Sequence, residues 1–208
     1  MKTRKLHPMT QTIVLGLTHE EPHRIRWTRE LFRRAWNMGL FGDARVELVY
    51  GEIIEKMGMN PPHATYLQLL QGALLQLFGA EHMIRIQLPF QAADESQPEP
   101  DIAVVAGSPL DFAREHPQEA VLLVEVADTT LAYDLGTKAT LYAQSGVPEY
   151  WVADVNAGLL HVHRSPLASP SFEGGFGYQS ISRLTRADSV TPLGSSTAIR
   201  VGDVLPEL

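Results

Sequence analysis

Three acidic residues sit where an apolar strand pattern has least room for them. Asp101 opens DIAVV directly after Pro98-Glu99-Pro100, Glu125 lies inside VLLVEVA, and Glu47 lies inside RVELVYG. A carboxylate in an apolar strand is costly to bury unless it is paired or meets a cation. Each also has a plainer reading. Glu47 can face water from an edge hairpin, Asp101 can simply start a strand after proline, and Glu125 can join an ordinary buried salt bridge. Asp134, Lys138 and Tyr142 follow Glu125 at i, i+4 and i+8, one face of a helix. That face is either a surface ion pair beside a half-buried tyrosine or an ammonium carried toward the acidic residues. An ammonium among carboxylates has a catalytic purpose where a metal-bound water and a phosphate meet.

Other side chains are candidates of lower specificity. His63 opens a helix just after Pro61-Pro62, where it can meet a metal water or a phosphate, or serve as a cap or surface imidazole. Gln87 and Gln91 flank LPF ahead of Asp101 and are candidates to line a cleft. His161 and His163 alternate on a late strand, which puts both on one face. The spacing can bind a metal, but a chance pair on an exposed face is the commoner outcome. Tyr150 and Trp151 in PEYW read as core and rim packing. No P-loop glycine signature is present.

These residues need a scaffold that brings them together. Thr28 can cap a helix running to about Met38, with Leu31, Phe32, Ala35 and Trp36 as its apolar stripe. Segments 45–50 and 52–57 pair as a hairpin about Gly51. Segment 63–78 carries Leu67, Leu70, Leu74, Leu77 and Phe78 at helical spacing, stopped by Gly79. Strands follow at 82–91, 101–106 and 120–126, the last apolar enough to be buried on both faces. A helix over 134–145, strands at 149–154 and 159–164, a Ser/Pro/Gly-rich loop over 165–177 and further strand from 178 complete the order. The expected fold class is α/β (α+β mixed), a central mixed sheet flanked by helices.

The chain has 208 residues, 44% hydrophobic and 20% charged, which is ordinary composition for one domain. Residues 1–26 read as an N-terminal arm and 27–208 as a single domain. The net charge of −7 excludes coating DNA through bulk charge but leaves a local basic groove open. Lys2, Arg4, Lys5, Arg24, Arg26, Arg29, Arg33 and Arg34 concentrate early, as a phosphate-contacting arm or a solvated face. The absence of cysteine excludes thiolate zinc sites, iron–sulfur clusters and a cysteine nucleophile. It also agrees with a cytoplasmic setting. No run of about 18 apolar residues is present to span a membrane, and Ile13 to Leu17 is too short for a signal-peptide core.

The stretches VELVYGEIIEKM, His63 at a helix start, PEPDIAVV and LLVEVADTTLAYDLGTKATLYAQSGVPEYWVAD together resemble the Uma-type restriction-endonuclease branch of the PD-(D/E)XK nuclease superfamily, over roughly residues 28–164. The superfamily's usual motif places lysine two residues after the acid, whereas Glu125 is followed by Val126 and Ala127. The resembled branch moves that lysine to the next helix, where Lys138 stands. The resemblance implies a restriction-endonuclease-like fold and metal-assisted hydrolysis of a phosphodiester. Asp101, Glu125, the Val126 carbonyl and Glu47 would bind Mg²⁺ or Mn²⁺, and Lys138 would orient water or stabilise phosphate charge. His63, Asp134, Tyr142 and Gln87 would be accessory. The partner it implies is nucleic acid, DNA first, acted on by a homodimer. A catalytically silent nuclease-like protein that binds nucleic acid or assembles is the competing class. A glycosidase built on paired carboxylates leaves Lys138 unexplained.

Overall fold

A computed structural model describes residues 25–79 and 81–208. Residues 1–24 of the expected arm, with Lys2, Arg4, Lys5 and Arg24, lie outside them. The fold is a six-stranded mixed sheet with helices on both faces and a separate two-stranded hairpin beside it. The sheet runs β3 (His82–Ile86), β4 (Ile102–Ala106), β5 (Leu122–Ala127), β6 (Glu149–Asp154), β7 (Leu159–Ala168), β8 (Phe176–Leu184), in that spatial order. β5 and β6 pair in parallel and every other neighbour is antiparallel. A parallel pair needs a crossover, supplied by α3 (Leu131–Tyr133), a π-helical turn (Asp134–Lys138) and α4 (Ala139–Gln144).

Period-two alternation sorts the strand side chains onto two cores. Leu122, Val124 and Val126 join Ile102, Trp151 and Leu160 against α2 (Pro61–Phe78) and α5 (Val201–Val204). Leu123, Ala127, Tyr150 and Val152 face the other way, against Leu141, Tyr142 and Ala143 of α4. Glu125 shares the parity of this second set and so points at the crossover helix. Asn60 caps α2 through its side chain, Pro61 and Pro62 occupy the first helical positions, and Tyr66, Leu67, Leu70, Leu74 and Phe78 form the buried stripe.

The hairpin β1 (Val46–Val49) and β2 (Glu52–Glu55) turns on Tyr50 and Gly51, both at positive φ. That is the twist-compatible geometry of a two-residue loop. β1 is buried throughout, so Glu47 is not at a solvated edge. The hairpin packs on α1 (Arg29–Asn37), where Phe32, Val46 and Leu48 form a third small core. Thr28 caps α1 as expected, but the apolar stripe is narrower than its sequence suggests. Phe32 and Ala35 are buried while Leu31 and Trp36 are exposed. β9 (Ser189–Val190) and β10 (Ile199–Arg200) form a small separate pair. No helix among the described residues is long and apolar enough to cross a membrane.

Three sequence expectations differ from the structure. The strand predicted over 82–91 ends at Ile86, because Gln87 adopts a left-handed backbone with φ 48°. The predicted loop over 165–177 is shorter than expected: β7 continues to Ala168 and β8 begins at Phe176, which leaves residues 169–175 as the connection. Pro166 is tolerated there, since its strand takes part in the pairing register without needing every donor. His161 and His163 are buried rather than on an exposed face: β7 lies between β6 and β8, and His163 packs against Tyr150 and Tyr178. The His163 ring stacks on Tyr150 at 5.4 Å.

Burial and the neighbouring His161 push the His163 imidazole down to about 4, well under the ordinary histidine value. The unfolded chain therefore binds the extra proton first, and stability is lost as pH falls from 6.5 toward 4. Relative to His163→Phe, the wild type should lose roughly 3 kcal/mol over that window. Urea melts of both proteins at pH 7 and pH 4 check this. Parallel profiles for the two would show that His163 is not held neutral.

Candidate active site

Continuing the β4–β5 register by one residue sets Asp101 opposite Glu125, on the face that looks toward α4. The two carboxylates are knitted through the backbone. Val126 N–H donates to Asp101 Oδ2 at 2.8 Å, and Asp101 N–H donates to Glu125 Oε2 at 3.3 Å. Gln87 Nε2 donates to Asp101 Oδ1 at 2.9 Å, and His63 Nε2 lies 3.1 Å from Asp101 Oδ2. The left-handed turn at Gln87 is what brings its amide back to Asp101 rather than on along the strand.

The crossover helix delivers the amine. Lys138 Nζ donates to Glu125 Oε1 and to Glu47 Oε2, both at 2.9 Å. Tyr142 OH donates to the same Glu125 Oε1 at 2.7 Å. Lys138 is 3% exposed and Glu47 2%, so this is a buried ion-pair network and not the surface pair that helical spacing alone would permit. The π-helical turn contains both Asp134 and Lys138. Such turns re-aim a side chain by inserting a residue into the helix. Asp134 does not pair with Lys138: its carboxylate accepts from Thr130 Oγ1 at 2.6 Å, and its carbonyl from Tyr150 OH at 3.0 Å. Glu47 Oε2 also accepts the Glu99 N–H at 3.0 Å, which ties the hairpin to the segment before β4.

Electrostatics divides the carboxyls into two kinds. Burial alone would raise Asp101, but the hydrogen bond and charge of His63, with Lys56 and Gln87, hold it at about 2. It is a permanent anion at neutral pH. Burial pushes Glu125 up to about 7 and Asp134 to about 6, against the pull of Lys138 in each case. Burial opposes the charge on Lys138 as well, yet Glu125 and Glu47 raise its pKa well above the ordinary value. The amine is an ammonium and a donor. Burial first, and Glu125 second, likewise keep the Tyr142 phenol protonated.

Glu47, Asp101, Glu125 and Asp134 share a cleft of about 130 Å³ with one fully buried ammonium. Carboxyls crowded and dehydrated in this way are relieved by an added cation. The available donors are oxygens, which suit Mg²⁺ or Mn²⁺. Among the described residues no three acidic or histidine side chains already form a cation cage. The reason is visible in the geometry: Lys138 occupies the space between Glu47 and Glu125. Asp101 and Glu125 therefore fit a hydrated ion that keeps several waters, as Mg²⁺ does, with Val126 lining the same cleft.

Most residues singled out for chemistry meet here: Glu47, His63, Gln87, Asp101, Glu125, Val126, Asp134 and Lys138 line the cleft, and Tyr142 reaches it through Glu125, whereas Gln91 pairs with Gln118 instead and His161 and His163 lie outside it. Lys56 and Tyr133 also line it and were not singled out. Lys56 sits in the conspicuous run GEIIEKM, where its two-residue offset from Ile54 was the available signal. Tyr133 had none.

A family model described as "Uma2: Putative restriction endonuclease" matches residues 30–192. Among solved structures, a "putative nuclease belonging to DUF820" from Anabaena variabilis superposes with a TM-score of 0.63 at 16% identity, covering 86% of this chain and 97% of that one. At that identity the likeness establishes a shared fold. No curated protein matches the chain.

Proposed function

The chain belongs to the Uma2 family of restriction-endonuclease-like proteins, and from that premise we propose that it is a divalent-metal-dependent phosphodiester hydrolase acting on DNA. The observation that carries this reading is the Lys138 ammonium, 2.9 Å from Glu125, on the same face of the sheet as Asp101. That is the relocated lysine of a PD-(D/E)XK site. Residues 27–208 act as one catalytic domain, and two copies would bring two sites to two strands. A cytoplasmic setting belongs to the same reading.

Asp101 and Glu125 would hold the ion, with Glu47 and the Val126 carbonyl nearby. Bound there, it would lower the pKa of a water and offset charge on the scissile phosphate. The protein's own groups do the rest. Lys138, kept charged and with one donor beyond those given to Glu47 and Glu125, orients the attacking water or donates to a phosphate oxygen in a cleft where such a bond is strong. Glu125, which burial otherwise raises, would be drawn into its charged form by the ion. Tyr142 holds Glu125 in place, Gln87 and His63 hold Asp101, and Thr130 holds Asp134.

The test is incubation of supercoiled plasmid and labelled oligonucleotides with Mg²⁺ or Mn²⁺, beside Glu125→Gln. Nicked and linear products from wild type alone are expected. If wild type and variant bind DNA equally and neither cuts, the protein is a silent binding module and the hydrolase reading fails.

A further inference from the structure

The cleft contains two hydrogen-bond donors that the network around Glu125 does not use. Of the lysines and arginines lining it, Lys138 is paired with Glu47 and Glu125, and Arg45 with Glu99 at 3.7 Å. Lys56 alone among these described residues has no carboxylate within ion-pair range. Its Nζ donates to the backbone carbonyl of Glu99 at 2.6 Å, which leaves two of the ammonium's three donors open. Its charge nonetheless acts on Asp101 and Glu125. It stands just beyond β2, on the hairpin wall.

The second donor comes from the opposite wall. Tyr133 ends α3, lines the cleft, and places its ring 6.0 Å from Lys138 Nζ. Its hydroxyl is buried and has no hydrogen-bond partner among the described residues. A buried unpaired hydroxyl costs about 1–3 kcal/mol, and native proteins keep few of them without a reason. Burial and the charge of Glu47 keep this phenol protonated at neutral pH, so it can only donate strongly. Neither neighbouring carboxylate accepts from it: Glu47 Oε2 accepts from Lys138 and the Glu99 N–H, and Asp134 Oδ2 from Thr130.

We infer that Lys56 and Tyr133 form a phosphate-binding subsite that grips the nucleic-acid backbone from the two walls of the cleft. This rests on the nucleic-acid reading above and adds the residues that seat the strand. A phosphodiester is an acceptor-only anion, and the nucleic-acid reading supplies one that satisfies an uncommitted ammonium and an unpartnered phenol together. In such a cleft Lys56 supplies charge and Tyr133 supplies direction. Neither needs to approach the carboxylates that hold the ion.

The two residues should leave different signatures. Binding of a fluorescein-labelled DNA duplex is followed by anisotropy across a salt series, with Ca²⁺ in place of Mg²⁺ so that occupancy is read without turnover. Lys56→Met should weaken binding and flatten the slope of log affinity against log salt by about 0.9, one phosphate contact. Lys56→Arg should restore the slope. Tyr133→Phe should weaken binding about 10- to 100-fold, a hydrogen bond to a charged acceptor, and leave the slope unchanged, because no charge is removed. Thermal melts check that both variants fold. Wild-type affinity and slope in both variants would overturn the inference, even if the wild type cleaves DNA and the hydrolase reading stands. A wild type that neither binds nor cuts the duplex overturns both.

Discussion

Lys138→Met should abolish cleavage and unsettle the fold in a single substitution. The ammonium is the shared partner of Glu47 and Glu125, each 2.9 Å away and each buried. Removing one member of a buried ion-pair network leaves the others uncompensated, at a cost of about 3–5 kcal/mol. For a chain of this size the melting temperature should fall on the order of 10 °C. Activity should fall at least about 100-fold, the scale for losing one donor aimed at developing charge. The double variant Lys138→Met with Glu47→Gln separates the two effects. Without the orphaned Glu47 charge, much of the stability should return while cleavage stays lost. Melting curves and plasmid assays on the three proteins decide it. Full cleavage by Lys138→Met would remove the lysine from the chemistry.

Asp101→Asn should erase the response to divalent ions. Asp101 is the carboxylate that its surroundings keep ionised, with its pKa at about 2. Its backbone anchor survives the change, since the asparagine carbonyl can still accept the Val126 N–H, and Gln87 can rotate its amide to suit. An ion present at a thousand times its Kd stabilises the folded state by about 4 kcal/mol. Mn²⁺ should therefore raise the wild-type melting temperature clearly and leave the variant's unmoved. Cleavage should fall about a thousandfold, equivalent to several kcal/mol of lost charge stabilisation. An equal Mn²⁺ shift in both proteins would mean that the ion sits elsewhere.

The sequence was most legible where one local rule decides the outcome. Asp101 and Glu125 were found because a charge in an apolar strand needs a reason. Strand parity then sends both to the same face, as the β4–β5 register bears out. α2 was legible through its cap, its prolines and its leucine spacing. Glu47 was ambiguous, because whether an edge hairpin faces water depends on what packs over it. Here α1 and the segment before β4 do so. The exact aim of Lys138 was not legible, since the π-helical turn that contains it departs from the angular spacing of a regular helix. The burial of His163 depends on tyrosines from two other strands, a contact that no window of sequence contains.

The hairpin and the six-stranded sheet share no ladder, yet each supplies a carboxylate to the same ammonium. The centre is thus a joint between two independently woven pieces. Like a keystone, the lysine is seated only when both halves of the arch have arrived, so the chain cannot own a finished reactive centre before its tertiary assembly is complete. Partly assembled chains would be chemically harmless, a safeguard that costs the organism no separate inhibitor.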